Sequence, residues 1–79
     1  MTDQDLLNRI ASTHSVLAGK PVIRGPRLSV EFILGLLAHG SSTPEILEEY
    51  DGLQAEDVQA CILFAAKSVS SMPLSTESA

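Results

Sequence analysis

From Val30 onward the apolar residues fall into helical register. Val30, Ile33, Leu34 and Leu37 follow an i, i+3, i+4, i+7 rhythm that gathers them on one helix face. Ser29 just before them is a good cap and Gly40 just after them a stop, so the spacing predicts a helix from Ser29 to about His39. Phe32 and Leu36 lie off that stripe, which leaves this helix apolar on two sides. The next helix opens in Ser42-Thr43-Pro44-Glu45. Ser42 and Glu45 match a capping box, but proline prefers the first helical position and keeps its predecessor out of the α region, which favours Thr43 as the cap. That helix covers about Pro44–Tyr50, buries Ile46, Leu47 and Tyr50, and ends at Asp51-Gly52. Leu53 then enters the core. A longer helix over about Ala55–Ser70 takes Val58, Cys61, Ile62, Ala65 and Val69 as its inner stripe, with Leu63 and Phe64 on another side.

The N-terminal part has weaker rhythm. Met1–Arg9 suits a short helix with Asp3 and Asp5 near its positive end, and Arg9–Ser12 suits a short strand equally well. Thr13–Lys20 reads as a turn. Pro21–Leu28 sets two prolines and a glycine among β-branched residues, which excludes helix and favours an irregular extended segment, at most an edge strand. The expected fold is therefore mainly α: a three-helix, helix–turn–helix bundle over residues 1–70, preceded by short extended segments. Residues 71–79, rich in Ser and Thr, are expected to be a disordered tail.

Composition narrows the classes. The chain has 79 residues, 44% of them apolar, and a formal charge of −5. A chain this small buries only ~60% of its unfolded surface and usually leans on a disulfide, a metal or another chain. One cysteine, Cys61, excludes an internal disulfide, and two histidines, His14 and His39, lack the carboxylate spacing of a zinc shell, so no metal or cofactor is expected. Oligomerisation is left as the support. No apolar run approaches the ~20 residues of a membrane span, and the acidic start is unlike a signal peptide, so a cytoplasmic location is expected.

Charge is sharply segregated. Between Asn8 and Val30 stand Arg9, Lys20, Arg24 and Arg27 with no acid; between Glu31 and Ala66 stand seven acids with no Lys or Arg. Two surfaces with different partners, or one protomer's basic arm against another's acidic face, would produce this pattern.

No enzyme constellation emerges. Gly19-Lys20 fails as a phosphate loop, because Pro21 follows where Ser or Thr is needed and His14 stands where the first glycine belongs. Cys61 lies on an inner stripe, where a thiol is inert packing. His39, at a helix end, suits capping of carbonyls. If the last helix read DNA, Gln54 and Gln59 would address base edges, while Glu56 and Asp57 would face phosphates. The cationic loop of Lys20, Arg24 and Arg27 is the better arm for an anionic partner, unless Arg24 or Arg27 bridges to Glu31 or to the acids of Glu45–Asp51.

The run from Ala18 through Gly19-Lys20-Pro21 and Arg24-Gly25-Pro26-Arg27 to Val30, followed by Pro44–Tyr50, Leu53 and Glu56-Asp57-Val58, closely resembles domain-of-unknown-function family 433. The likeness covers about Arg9–Val69, and its specific part is Gly19, Lys20, Pro21, Arg24, Gly25 and Arg27. It implies a homeodomain-like helix–turn–helix fold, a homodimer, and an antitoxin-like role beside a nuclease toxin of the PIN type. Two positions depart from the family's pattern: Pro26 replaces Thr, and Gln54-Ala55 replaces a Thr-Pro helix start, which implies a poorer cap. The expectation is a non-enzymatic dimeric module. Glu45, Glu48, Glu49 and Asp51 are its candidate toxin contacts, and Phe32, Leu36, Leu63 and Phe64 its candidate dimer contacts. The alternatives are a DNA-binding regulator using Lys20, Arg24, Arg27, Gln54 and Gln59, or an orphan interaction domain.

Overall fold

The structure is a computed structural model and describes residues 1–11 and 19–70. The turn expected at Thr13–Lys20 lies mostly outside the described residues, as do His14 and the tail 71–79. The chain is mainly helical. Its elements are α1 (Asp3–Leu7), β1 (Ile10–Ala11), β2 (Val22–Ile23), α2 (Val30–Ala38), α3 (Thr43–Glu49) and α4 (Ala55–Ser70).

Local chemistry sets each start and stop. Thr2 caps α1 by accepting from the Asp5 amide at 3.1 Å, and Asp5 returns a bond from the Thr2 amide, a capping box. Ser29 caps α2 through the Phe32 amide at 2.9 Å, as its position predicts. At the other end of α2 the Ser41 amide donates to Leu36 and the Gly40 amide to Leu37, at 3.0 and 3.1 Å. This pairing is a Schellman stop, and it needs the positive φ (100°) that Gly40 supplies without a Cβ penalty. His39 Nδ1 lies 2.8 Å from the Gly35 carbonyl, the carbonyl-capping role expected of it.

The cap of α3 corrects the expectation. Ser42, not Thr43, is the cap: its hydroxyl accepts from the Glu45 amide at 3.3 Å and its own amide donates to Glu45 Oε1 at 2.8 Å. Pro44 then occupies the second helical position, where its missing N–H would have had no intrahelical partner anyway. The two box bonds outweigh the pre-proline preference of Thr43.

β1 and β2 pair antiparallel, Ile10 opposite Ile23 and Ala11 opposite Val22. β2 is not a free edge. Val22 also bridges to Ser29 on the other side, and the Val30 amide donates to the Pro21 carbonyl at 3.0 Å. Both β2 residues are buried, which ties the extended segment to the start of α2.

α4 is the helix against which α1, α2 and α3 all pack. Leu6, Ile10, Ile23, Val30, Ile33, Ile46, Leu53, Val58, Ala60 and Cys61 form one core around it. Burying a side chain such as Ile33 or Ile46 contributes ~1.5–3 kcal/mol by area. The inner stripe of α4 differs from the one expected. Asp57, Val58, Ala60 and Cys61 are buried, with Leu63 and Phe64 half-buried against the core, whereas Ile62 and Val69 are 50% and 55% exposed. Asp57 is accommodated on this buried face beside Val58, Ala60 and Cys61 because Arg9 pairs with its carboxylate at 2.9 Å.

Candidate partner-binding surfaces

The cationic loop is a built turn. The Ile23 amide donates to the Leu28 carbonyl at 2.8 Å and the Arg27 amide to the Ile23 carbonyl at 2.9 Å, closing Arg24–Arg27 between them. Arg27 sits at a φ of 60°, the left-handed region a non-glycine residue rarely takes. Arg24 Nε donates to the Asn8 carbonyl at 2.8 Å, and its backbone amide to the Arg9 carbonyl at 2.9 Å. Lys20, rather than either arginine, bridges to Glu31 at 2.8 Å. That hydrogen bond, and then the ammonium charge, hold the Glu31 carboxyl below the usual glutamate range. Arg24 and Arg27 keep exposed side chains.

The start of α4 is organised by a residue outside the sequence candidates. Arg9 reaches across from the α1–β1 turn and donates to Asp57 Oδ1 at 2.9 Å and to Gln54 Oε1 at 3.2 Å. Asp57 Oδ2 accepts from the Gln54 amide at 2.9 Å and supplies one half of the cap that Gln54-Ala55 lacks. Asp57 is thus an interior group, not an exposed acid facing a groove of DNA. Gln54 is engaged by Arg9, and Gln59 is exposed on the outside of α4. The one local signal for this arrangement is an acid three residues after a poor cap.

Glu45, Glu48 and Glu49 line an open groove of about 650 Å³ with Leu36, Ile46 and Tyr50. Asp51 is exposed just beyond the helix. Among the described residues none of these four carboxylates is in an ion pair. Glu45 is spoken for by Ser42, whose amide and then hydroxyl hold its carboxyl below the usual range.

The four apolar candidates divide between places. Phe32 is 40% exposed and meets Tyr50 edge to face, ring centres 5.4 Å apart. Leu36 is half-buried beside it, and the two border a second groove with Gly35 and His39. Leu63 and Phe64 lean on the protein's own core instead, Phe64 facing Leu7 and Ile10.

A family model described as protein of unknown function (DUF433) matches residues 10–65. The chain belongs to the DUF433 family. The match runs from β1 into α4 and takes in the Gly19–Arg27 motif, while α1 with its buried Leu6 lies outside it. The DUF433 chain is 32% identical over 56 residues to an uncharacterized protein, y4eO, of Sinorhizobium fredii, which covers 71% of this chain and 25% of the relative. It therefore spans about a quarter of the length of the curated relative it matches. No solved structure matches. Among the described residues of this DUF433 domain, no helix is long and apolar enough to cross a membrane.

Proposed function

We propose that this DUF433 domain is a non-enzymatic module that binds a cationic protein surface and acts as the antitoxin of a PIN-type nuclease. The observation that carries the reading is the α3 groove, where exposed glutamates that are in no ion pair among the described residues border the half-buried Leu36 and Tyr50. An acidic rim of this kind steers a basic partner and suppresses wrong ones. Exposed pairs are each worth ~0.2–1 kcal/mol, so reversing two of them weakens binding roughly tenfold. The test is titration calorimetry with a PIN-type nuclease encoded beside this gene, using wild type and the Glu48→Lys/Glu49→Lys variant at two salt concentrations. Binding that weakens with salt and with charge reversal supports the reading; binding indifferent to both overturns it.

A DNA-binding regulator is the second reading, favoured by exposed Arg24 and Arg27 in a fixed turn. Its weakness is that α4 offers Gln59 as its one unengaged early polar reader beside the acid Glu56. Operator binding with a negative salt slope, lost in Arg24→Ala/Arg27→Ala, is its expected signature. An unchanged slope in that variant removes the loop from the argument.

A further inference from the structure

The register of the hairpin sets two like charges face to face. Ile10 pairs with Ile23, and the next step outward is Arg9 opposite Arg24, whose amide donates to the Arg9 carbonyl at 2.9 Å. Residues directly opposite in an antiparallel pair share a face, and like charges there repel. Arg9 is answered within the fold by Asp57, whereas Arg24 meets no carboxylate among the described residues. Both arginines line one open cavity of about 430 Å³ between the Arg24–Arg27 turn and the start of α4, with Pro26 and Gly52 in its wall.

The cavity has a surplus positive charge. Its charged lining residues are Arg9, Arg24 and Asp57, and both Asp57 oxygens are already bonded, Oδ1 to Arg9 and Oδ2 to the Gln54 amide. Each guanidinium is held by one edge and free along another. Arg24 is fixed through Nε on the Asn8 carbonyl at 2.8 Å, and neither of its Nη atoms has a partner among the described residues. Arg9 is fixed through Nη1 on Asp57 and Gln54, which leaves its Nε and Nη2 to donate. Forks set in place this way recognise oxyanions. A carboxylate fills one fork with its two oxygens, whereas a phosphate dianion has three oxygens and the charge to answer both.

We infer that this cavity binds a dianionic phosphate group, free or as the monoester end of a small molecule, clamped between Arg9 and Arg24. The inference is independent of the antitoxin reading, since no α3 glutamate lines the cavity. It is also distinct from a DNA arm: Arg27 and Gln59 take no part in it, and a phosphodiester carries one charge fewer.

Amide chemical shifts of the full chain test it, at constant ionic strength and ~pH 8, where a phosphate monoester is a dianion. The probes are inorganic phosphate, phenyl phosphate and dimethyl phosphate. The first two should move the Gly25, Gly52 and Gln54 amides to saturation with a dissociation constant on the order of 1 mM, and the diester should bind at least ~3-fold more weakly. Tighter binding of phenyl phosphate assigns an ester as ligand and tighter binding of inorganic phosphate the free anion; both support the clamp. Arg24→Gln keeps a donor for the Asn8 carbonyl and removes the fork. It should weaken phosphate at least ~10-fold. Melted in parallel, it should unfold at no lower temperature than wild type, because it relieves the facing charges. Arg27→Gln should leave binding within ~2-fold of wild type. Wild-type shifts that do not saturate by ~50 mM phosphate overturn the inference. So does an Arg24→Gln variant that binds phosphate as tightly as wild type, or a diester that binds as tightly as the dianions.

Discussion

Replacing Arg9 with methionine tests the contact that holds the start of α4. The Asp57 side chain is 7% exposed and has two bonded oxygens, one to Arg9 and one to the Gln54 amide, both at 2.9 Å. Without Arg9 the amide bond survives but the charge is left unpaired in the interior. Stripping one partner from a fully buried pair costs ~3–5 kcal/mol. The Arg9 side chain is 28% exposed, so water takes over part of its role, and the expected loss is about 2–3 kcal/mol. Asp57→Ala removes the helix-start bond, worth ~1 kcal/mol, together with a charge-assisted bond of ~1.5–3 kcal/mol, for a total near 3 kcal/mol. The Arg9→Met/Asp57→Ala double variant should lose ~1–2 kcal/mol less than the sum of its single substitutions. A domain of this size has ~4–12 kcal/mol in all, so each loss is visible as a shifted urea midpoint at unchanged slope. Single variants within ~0.5 kcal/mol of wild type, or strict additivity in the cycle, would refute the reasoning.

Four further outcomes follow from the local geometry. Ser42→Ala should lower stability by ~1 kcal/mol in a thermal melt, and Thr43→Ala by less, because Ser42 is the cap. Gly40→Ala should cost at least ~1 kcal/mol in the same assay, since it forces a Cβ into the positive-φ stop of α2. Glu31 and Glu45 both have carboxyl pKa values lowered by folding, so the stability they contribute is complete above the ordinary glutamate range and is lost as pH falls through their lowered values. A melting curve measured against pH should therefore decline on its acid side, and less steeply in Glu45→Gln. Burial, then the nearby Asp57 charge, push the Cys61 thiol up to about 12, so alkylation at ~pH 8 should proceed in urea and stall in the native protein.

What was legible in the amino-acid order was whatever is decided within a turn or two. The Ser29 cap, the Gly40 stop and the apolar rhythm between them specify α2 without help from the rest of the chain. The short β1–β2 pairing was half legible, because β-branched residues flanked by proline announce extended backbone but not its partner. The face of α4 was not. Counting hydrophobic positions puts Ile62 and Val69 inside and Asp57 outside, whereas the structure has the reverse, with the buried Asp57 paired to an arginine 48 positions earlier. No periodicity contains a contact of that range. The exposure of the α3 acids was legible from charge alone.

The pairing of Asp3 with Lys67, at 3.6 Å, has a consequence for how such a domain is used. The polypeptide enters and leaves the fold at one corner, with α1 laid along the far end of α4. A unit with adjacent ends can be spliced into a surface loop of a host protein at little loop-closure cost, because the host's own chain continues almost from where it was cut. Transplanting residues 1–70 into such a loop is thus an architectural option that a unit with ends on opposite sides would not have.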